Sequence, residues 1–246
     1  MPDRWSFTKL QAYHTCPLFF KLQYMDELPQ RENAFAQFGT LCHKLLEEEA
    51  KGELFPFELA DEYRERYENE ITAAFPPFPK GMEERYYAEG LTFFEHYGGV
   101  EGMPLLIEHR FEVPVGGQLV SGVIDLAVED RGGVYDIIDY KSKASKSLDR
   151  DYDVFRHQLY IYAYAANELL GRLPRDLMFI LFREGTAIGE RFAWSRMEET
   201  IAWIDGMVEE INLAACSGVW SAKRTDYFCR FVCGVRDHCP ALQGAG

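Results

Sequence analysis

Apolar residues recur at helical spacing through the first hundred positions of the chain. Ser6 is a suitable N-cap for a short helix that buries Leu10 and Tyr13, and Pro17 is expected to break or restart that helix. Three longer helices are predicted, over residues 38–51, 57–74 and 82–97. The N-terminal part of the chain is therefore expected to be helical.

After residue 104 the apolar runs become rich in β-branched residues and are separated by glycines. Gly116-Gly117 and the stretch 130–133 divide three such runs, which predicts a meander of three strands joined by hairpin turns. These strands cover residues 105–115, 118–129 and 133–141. Further along, the pattern predicts a helix over residues 154–170, strands over 177–183 and 188–194, and a helix over 197–215. An α/β domain with a helical N-terminal insertion fits this order best.

The composition excludes a disordered chain and a membrane-spanning one. Hydrophobic residues make up 47% of the 246 positions, and no run reaches the roughly 18 apolar residues of a transmembrane helix. The first residues lack the apolar stretch of a signal peptide, so a soluble, cytoplasmic protein is expected. The net charge of −14 counts against general affinity for nucleic acid, although cations cluster locally. They lie at Lys141, Lys143, Lys146, Arg150 and Arg156, and again at Lys223, Arg224, Arg230 and Arg236.

Two aspartates stand inside apolar strands. Burying the carboxylate of Asp125 is costly unless it is paired or binds a metal, although a turn or salt bridge at a strand edge explains this residue equally well. Because side chains alternate along a strand, Asp139 and Lys141 are expected to share one face, and Tyr140 the other. Asp139 and Lys141 form either a simple ion pair or a metal ligand beside a group that orients or deprotonates water.

The hairpin at residues 129–134 brings the strand of Asp125 beside the strand of Asp139. Two carboxylates held together repel each other unless a cation lies between them. Hard oxygen ligands that leave positions open for water suit Mg²⁺ or Mn²⁺. The residues themselves therefore indicate a site for a divalent metal.

An apolar strand with Asp125, a tight turn and then Asp139-Tyr140-Lys141 resembles the PD-(D/E)XK nuclease superfamily, in particular its RecB-like branch. Three further segments resemble that branch in the same order along the chain. Gly39 to His43 is similar to its Gly-x-x-x-His element, and Gln158 to Tyr162 is similar to its Gln-x-x-x-Tyr helix. Ser6-x-Thr8-x-Leu10 with Cys16-Pro17 is similar to the N-terminal motif of that branch. A C-terminal group of cysteines completes the set.

The resemblance implies a restriction-endonuclease-like core, with a central mixed sheet flanked by helices. It implies that His43, Asp125, Asp139 and the backbone carbonyl of Tyr140 bind Mg²⁺ or Mn²⁺. Lys141 would position or activate the water that attacks phosphorus, and the products would carry 5′-phosphate and 3′-hydroxyl ends.

Other residues of the set also have ordinary structural explanations. His43 could be a core or surface histidine, Gln158 a solvated helix residue and Tyr162 a core aromatic; the resemblance places Gln158 and Tyr162 by the DNA. Glu108 lies in the first strand, where the family often carries a glutamate, and a structural ion pair explains it equally well. Lys143 is expected to touch a phosphate or nothing.

Four of the six cysteines form a candidate metal-binding set. Cys229, Cys233 and Cys239 lie close together in the chain, and Cys16 lies over two hundred residues earlier. On spacing alone, structural zinc competes as the ligand of four thiolates. The resemblance implies a [4Fe-4S] cluster, but its usual spacing is Cys-x₂-Cys-x₅-Cys, and this chain has one residue more between the first two. Cys42 and Cys216 are expected to be buried.

The expected function is that of a metal-dependent DNA exonuclease, acting on single strands or duplex ends in repair, recombination or phage DNA processing. No P-loop is present, so a separate helicase or recombinase is the expected partner. The alternatives are a CRISPR spacer-processing nuclease that works with CRISPR adaptation proteins, and a non-catalytic nucleic-acid-binding scaffold. The expected single domain spans residues 1–246, with a helical part at 1–100, a catalytic core at 101–215 and a cysteine-cluster tail at 216–246.

Overall fold

A computed structural model of the chain describes residues 2–243. Position 1 and positions 244–246 of the predicted domain lie outside the described residues. The α-helices are α1 (Phe7–Thr15), α2 (Pro17–Phe20), α3 (Ala34–Ala50), α4 (Leu59–Glu70), α5 (Met82–His96), α6 (Ser145–Arg150), α7 (Tyr152–Leu170), α8 (Trp194–Ser217) and α9 (Pro240–Gln243). The strands are β1 (Met103–Val115), β2 (Gln118–Glu129), β3 (Tyr135–Lys141), β4 (Asp176–Leu181) and β5 (Thr186–Arg191).

The five strands form one sheet in the order β1-β2-β3-β4-β5. β2 pairs antiparallel with β3, β3 pairs parallel with β4, and β4 pairs antiparallel with β5. The parallel pair requires a crossover connection, which α6 and α7 supply. The predicted mixed sheet flanked by helices is confirmed.

Most predicted elements are present, and their ends differ for local reasons. α3 begins at Ala34, four residues before the predicted start, because the side chain of Asn33 accepts hydrogen bonds from the N–H groups of Phe35 and Ala36. Ser6 caps α1 as predicted and accepts a bond from the N–H of Lys9 at 3.2 Å. The short helix α6 was not predicted, because six residues carry too little periodicity to detect.

The chain divides into two compact units. The sheet unit consists of Asn33–Phe111 and Val123–Ala193. Its core combines the apolar face of α3, with Phe38, Leu41 and Leu45, and aromatic residues of α4 and α5 such as Tyr63 and Phe94. These side chains are at most 1% exposed, so α3 is fixed firmly in the unit that carries the candidate site.

The terminal unit consists of Met1–Glu32, Glu112–Gly122 and Trp194–Gly246. Within it, Phe7 of α1 packs on Trp203 of α8 with ring centroids 6.1 Å apart, and Tyr13 packs on Trp220 at 6.3 Å.

The expectation that Cys216 is buried was wrong, whereas Cys42 is fully buried. Cys216 lies in the last turn of α8, off the stripe of buried residues that ends at Ile211.

No helix among residues 2–243 has the length and the apolar character needed to span a bilayer.

Candidate functional site

The pairing of β2 with β3 sets the positions of the two aspartates. The register pairs Leu126 with Ile138, so Asp125 and Asp139 are the next residues outward on the two strands. Asp125 Oδ2 accepts a hydrogen bond of 2.9 Å from the backbone N–H of Tyr140. Asp125 is 9% exposed and Asp139 is 1% exposed, so both carboxylates lie in a largely dry environment.

Lys141 lies beside Asp139, as strand alternation predicted. Its Nζ is 2.5 Å from Asp139 Oδ2, and its side chain is 17% exposed. Neither oxygen of Asp139 accepts a hydrogen bond of acceptable geometry from the described residues, so the contact with Lys141 is electrostatic only. The side chain of Tyr140 makes a separate contact, since its hydroxyl lies 3.1 Å from that of Tyr97.

His43 and Glu108 complete a group of possible metal ligands. His43 Nδ1 lies 3.4 Å from Asp125 Oδ2 and 3.7 Å from Glu108 Oε1. One ligand atom from each of His43, Glu108 and Asp125 falls within 4.8 Å of the other two. The backbone of Glu108 has a φ of 42°, in the left-handed region that is costly for any residue but glycine. Such backbone conformations concentrate at functional sites.

The carboxylates of this group repel one another, and a bound cation would reduce that repulsion. Burial, with the neighbouring charge of Asp139, raises the pKa of Asp125 to about 7, although His43, Lys141 and the Tyr140 N–H oppose the shift. Burial acts to lower the pKa of His43, but the nearby carboxylate of Glu108 and the charges of Asp125 and Asp139 outweigh that effect and raise it. The buried acids and the unsatisfied oxygens of Asp139 therefore fit a site for a divalent cation.

Two predicted residues on α7 lie beside this group. Gln158 Nε2 donates a hydrogen bond of 2.7 Å to the hydroxyl of Tyr162, and both residues are buried. Burial raises the pKa of Tyr162 well above its usual range, and the charges of Asp139 and Asp125 raise it further. Tyr162 is therefore a buried residue near the carboxylates.

Lys143, the third residue that was predicted to contact DNA, has its side chain against an aromatic ring. Its Nζ lies 4.7 Å from the centre of the Phe155 ring, a cation–π contact. Burial lowers the pKa of Lys143, and the charges of Lys141 and Arg150 act in the same direction. In this position Lys143 is held against an aromatic ring.

An open groove lies along α3 beside His43. It is lined by Phe35, Ala36, Gly39, Thr40, His43, Lys44, Glu47, Glu108 and Ser142. Thr40 and Ser142 were not among the predicted site residues. The helical spacing of Thr40 to His43 could have indicated Thr40, whereas nothing in the sequence around Ser142 pointed to the groove.

The four predicted cysteines line one small cavity in the terminal unit. None of the four forms a disulfide. Burial raises the pKa of the Cys233 thiol to about 11, the Val235 N–H opposes the shift, and the charges of Cys239, Cys229 and Cys16 add to it. Among residues 2–243, no three cysteine sulfurs lie within 4.8 Å of one another. The four thiols share one cavity, where they could hold a metal centre.

A π-helical turn accounts for the unusual spacing of Cys229 and Cys233. Residues Phe228–Val232 form this turn, and the N–H of Cys233 donates to the carbonyl of Phe228, five residues earlier, at 2.8 Å. A π-helical turn takes up one residue more than an α-helical turn. The additional residue between the two cysteines is thus absorbed without moving either away from the cavity.

Comparisons with known proteins agree with this geometry. The family model described as the PD-(D/E)XK nuclease superfamily matches residues 4–240. The Gene 69 protein of Mycobacterium phage D29 is 28% identical over 189 residues, which cover 65% of this chain and 67% of that protein. A component of the ATP-dependent helicase/nuclease of Desulforamulus reducens is 39% identical over 71 residues, which are 28% of this chain and only 6% of that component.

A solved structure also shares the fold. It is that of a protein from Eubacterium rectale provisionally named an exonuclease, which superposes with a TM-score of 0.51. The alignment covers 99% of this chain and 88% of the other, at 9% sequence identity. At that identity the likeness concerns the fold alone.

Proposed function

Because this chain belongs to the PD-(D/E)XK nuclease superfamily, we propose that it is a metal-dependent nuclease that hydrolyses phosphodiester bonds in DNA. One observation carries the proposal: the ligand atoms of His43, Glu108 and Asp125 converge near the buried Asp139 and its partner Lys141. The name of the Desulforamulus reducens helicase/nuclease favours the same activity. The resemblance of the motifs to the RecB-like branch favours an exonuclease mode.

The metal would be Mg²⁺ or Mn²⁺, held by His43, Asp125 and Asp139, with Glu108 as a further ligand. When bound, such an ion supplies Lewis-acid stabilisation of the negative charge that develops on phosphate oxygens. Glu108 is an addition to the ligands that the sequence predicted, and the 3.7 Å between its carboxylate and His43 supports it.

The chain's own residues would orient the reacting groups. Lys141 is held by the 2.5 Å contact with Asp139, so its ammonium group can donate a hydrogen bond to the attacking water or to a phosphate oxygen. Attack of that water on phosphorus would break the bond to the 3′ oxygen and leave a 5′-phosphate. Tyr162, kept in place by Gln158, would pack beside the strand that is cut.

We further propose that the four cysteines around the terminal-unit cavity hold a [4Fe-4S] cluster with a structural role. The convergence of all four cysteines on one cavity supports a shared metal centre, and the resemblance to the RecB-like branch favours iron–sulfur over zinc. The substrate would be a single strand or a duplex end. A separate helicase or recombinase would supply DNA unwinding.

The test is cleavage of labelled single-stranded and duplex DNA by anaerobically purified protein with Mn²⁺ or Mg²⁺. Asp139→Ala and Lys141→Ala should each lower the rate by about 100-fold or more, since each removes a group positioned at the reacting phosphate. Lys80→Ala, which removes an exposed lysine of the same unit, is the matched control and should cut like wild type. The proposal fails if wild type cuts no faster than the two site variants.

A further inference from the structure

Four cations lie within 14 consecutive residues of the terminal unit, in a chain whose net charge is −14. They are Lys223, Arg224, Arg230 and Arg236, and Asp226 is the only acid between the first and the last. Elsewhere arginines usually face carboxylates, as Arg66 faces Glu48 at 2.8 Å. Among residues 2–243, no carboxylate lies within ion-pair distance of any of these four cations. In so acidic a chain, several unpaired cations within one short segment indicate a surface that accepts an anion from outside.

Hydrogen bonds hold two of the four cations in place and leave the other two available. Lys223 Nζ donates to the carbonyl of His14 at 2.8 Å, and Arg236 donates to the carbonyl of Arg230. The side chains of Arg224 and Arg230 make no hydrogen bond and no ion pair with the described residues, and both residues are exposed. Arg224 and Arg230 are therefore the groups best able to contact a ligand.

The same segment has a second, buried side. Phe228 and Cys229 are half-buried and line the cysteine cavity, which Lys223 and Arg224 also line from exposed positions. Tyr227, beside them in the chain, is 44% exposed, and its ring packs on that of Phe231 with centroids 5.4 Å apart. The π-helical turn thus keeps Cys229 at the cavity while the neighbouring residues carry an aromatic pair and cations at the surface.

We propose that residues 223–231 form a binding surface for single-stranded nucleic acid, separate from the residues that cut it. Phosphates would contact Arg224 and Arg230, and an unpaired base would stack on Tyr227. A duplex offers phosphates but no free base faces, and an acidic peptide offers charge but no base, so cations interleaved with an exposed aromatic favour a single strand. The inference rests on the proposed nuclease function only for its substrate class.

The first experiment measures binding without divalent metal, so that no strand is cut. A fluorescent single-stranded DNA, an RNA of the same sequence and the DNA duplex are titrated at several salt concentrations. Replacing Arg224 and Arg230 together with Gln should weaken binding and lower the slope of log K against log salt by about 1.4, about 0.7 for each lost phosphate contact. The DNA and RNA arms show whether the surface prefers one sugar.

The matched control replaces Arg131 and Arg191 with Gln, which removes two exposed, unpaired arginines of the sheet unit with the same change in charge. It should bind like wild type, with an unchanged slope. If the control pair loses as much affinity as Arg224→Gln/Arg230→Gln, binding depends only on total charge and the proposal is overturned.

The second experiment tests stacking. Tyr227→Ala should weaken single-strand binding by about 5- to 150-fold and leave duplex binding unchanged. The control Phe57→Ala removes an aromatic side chain of the sheet unit that is 79% exposed. It should change neither single-strand binding nor duplex binding. Equal loss of affinity for a polyglutamate peptide and for single-stranded DNA in Arg224→Gln/Arg230→Gln, with no effect of Tyr227→Ala, would overturn the proposal in favour of a general anion surface.

A cleavage assay with Mn²⁺ on a short oligonucleotide separates this inference from the proposed function. Loss of binding in the surface variants with no cleavage by wild type would support the surface and refute the nuclease assignment. Cleavage by wild type with unchanged binding in the variants would support the nuclease assignment and refute the surface. Unchanged iron content and thermal unfolding midpoint show that the variants are folded.

Discussion

Asp125 carries the strongest pH dependence at the candidate metal site. Its pKa, ordinarily 3.8, is raised to about 7 by burial and by Asp139. A raised pKa means that the folded protein holds the proton more tightly than the unfolded chain does. The stability that protonated Asp125 contributes is therefore present below about pH 4 and is lost as the pH rises through about 7.

Metal binding should show the opposite dependence, because the ion must displace that proton. With a pKa of about 7, protonation at pH 5.5 should weaken Mn²⁺ binding by about 30-fold, so Mn²⁺ should raise the unfolding midpoint more at pH 8 than at pH 5.5. His43, whose pKa is also raised, adds to the effect in the same direction. Differential scanning fluorimetry with and without Mn²⁺ at both pH values measures it.

Asp125→Asn is the informative variant for this prediction. It removes the titrating group and one ligand, so the Mn²⁺-induced rise should be small at both pH values. The metal-free variant should also lose less stability than wild type between pH 5 and pH 8. An equal Mn²⁺-induced rise at pH 5.5 and pH 8 in the wild type would contradict the assignment of Asp125 as a ligand.

Strand alternation was enough to group Asp125, Asp139 and Lys141 from the sequence, because β2 and β3 are regular where these residues lie. The same rule could not orient Glu108. Its φ of 42° interrupts the pleat of β1, and a residue outside the extended region need not follow the alternation. The ligand role that we propose for Glu108 thus depends on a backbone feature that residue types do not encode.

At the scale of elements, the sequence predicted regular helices and strands better than irregular turns. α5 and β2 have the predicted starting residues, since a long periodic run defines them. The π-helical turn at Phe228–Val232 was not predicted, and the spacing of Cys229 and Cys233 was therefore a departure without an explanation. A π-helical turn has no composition of its own, and only its hydrogen bond from Cys233 to Phe228 reveals it.

The packing of α5 against α3 and α4 depends on Gly90. A Cβ at this position would contact the hydroxyl of Tyr63, lie 2.7 Å from Tyr63 Cζ and 3.1 Å from Phe38 Cε2. Tyr63 cannot move easily, because it is fully buried and its hydroxyl donates to backbone carbonyls of α5. Gly90→Ala should therefore lower the free energy of unfolding by about 1–3 kcal/mol.

Gly206 of α8 provides the matched control, since a Cβ there would meet nothing within 4 Å. Gly206→Ala should raise the free energy of unfolding by about 0.5–1 kcal/mol, because alanine loses less backbone entropy in a helix. Urea denaturation followed by circular dichroism measures both variants. A higher free energy of unfolding in both variants would show that helix propensity, rather than space, decides the outcome at Gly90.

At the scale of the whole molecule, the net charge of −14 counts against the nucleic-acid binding that we propose, and the local distribution of charge decides how much weight it has. Much of the acid belongs to α3–α5, where it is partly paired, as in the contact of Arg64 with Glu95. The sequence could not show which cations remain unpaired, since pairing depends on residues far apart in the chain. Global charge therefore describes long-range repulsion, while local charge determines where an anion binds.

The cysteine cluster should determine the stability of one unit more than that of the other. The four cysteines all belong to the terminal unit. Cys16 comes from the N-terminal segment of that unit, and Cys229, Cys233 and Cys239 come from its C-terminal segment. A cluster that joins them closes a loop of about two hundred residues and removes many unfolded conformations. By analogy with disulfides, its loss should cost about 2–5 kcal/mol.

Cys233→Ser should abolish iron binding, lower the unfolding midpoint and increase amide hydrogen exchange in α1 and α8 of the terminal unit. Because the core of the sheet unit contains none of these four cysteines, exchange in α3 and β3 should change little. Cys216→Ser is the control, as this cysteine is exposed and does not line the cavity, and it should keep the wild-type iron content. Zinc without iron in a colourless wild-type preparation would refute the cluster, and equal exchange in both units of Cys233→Ser would refute its local role.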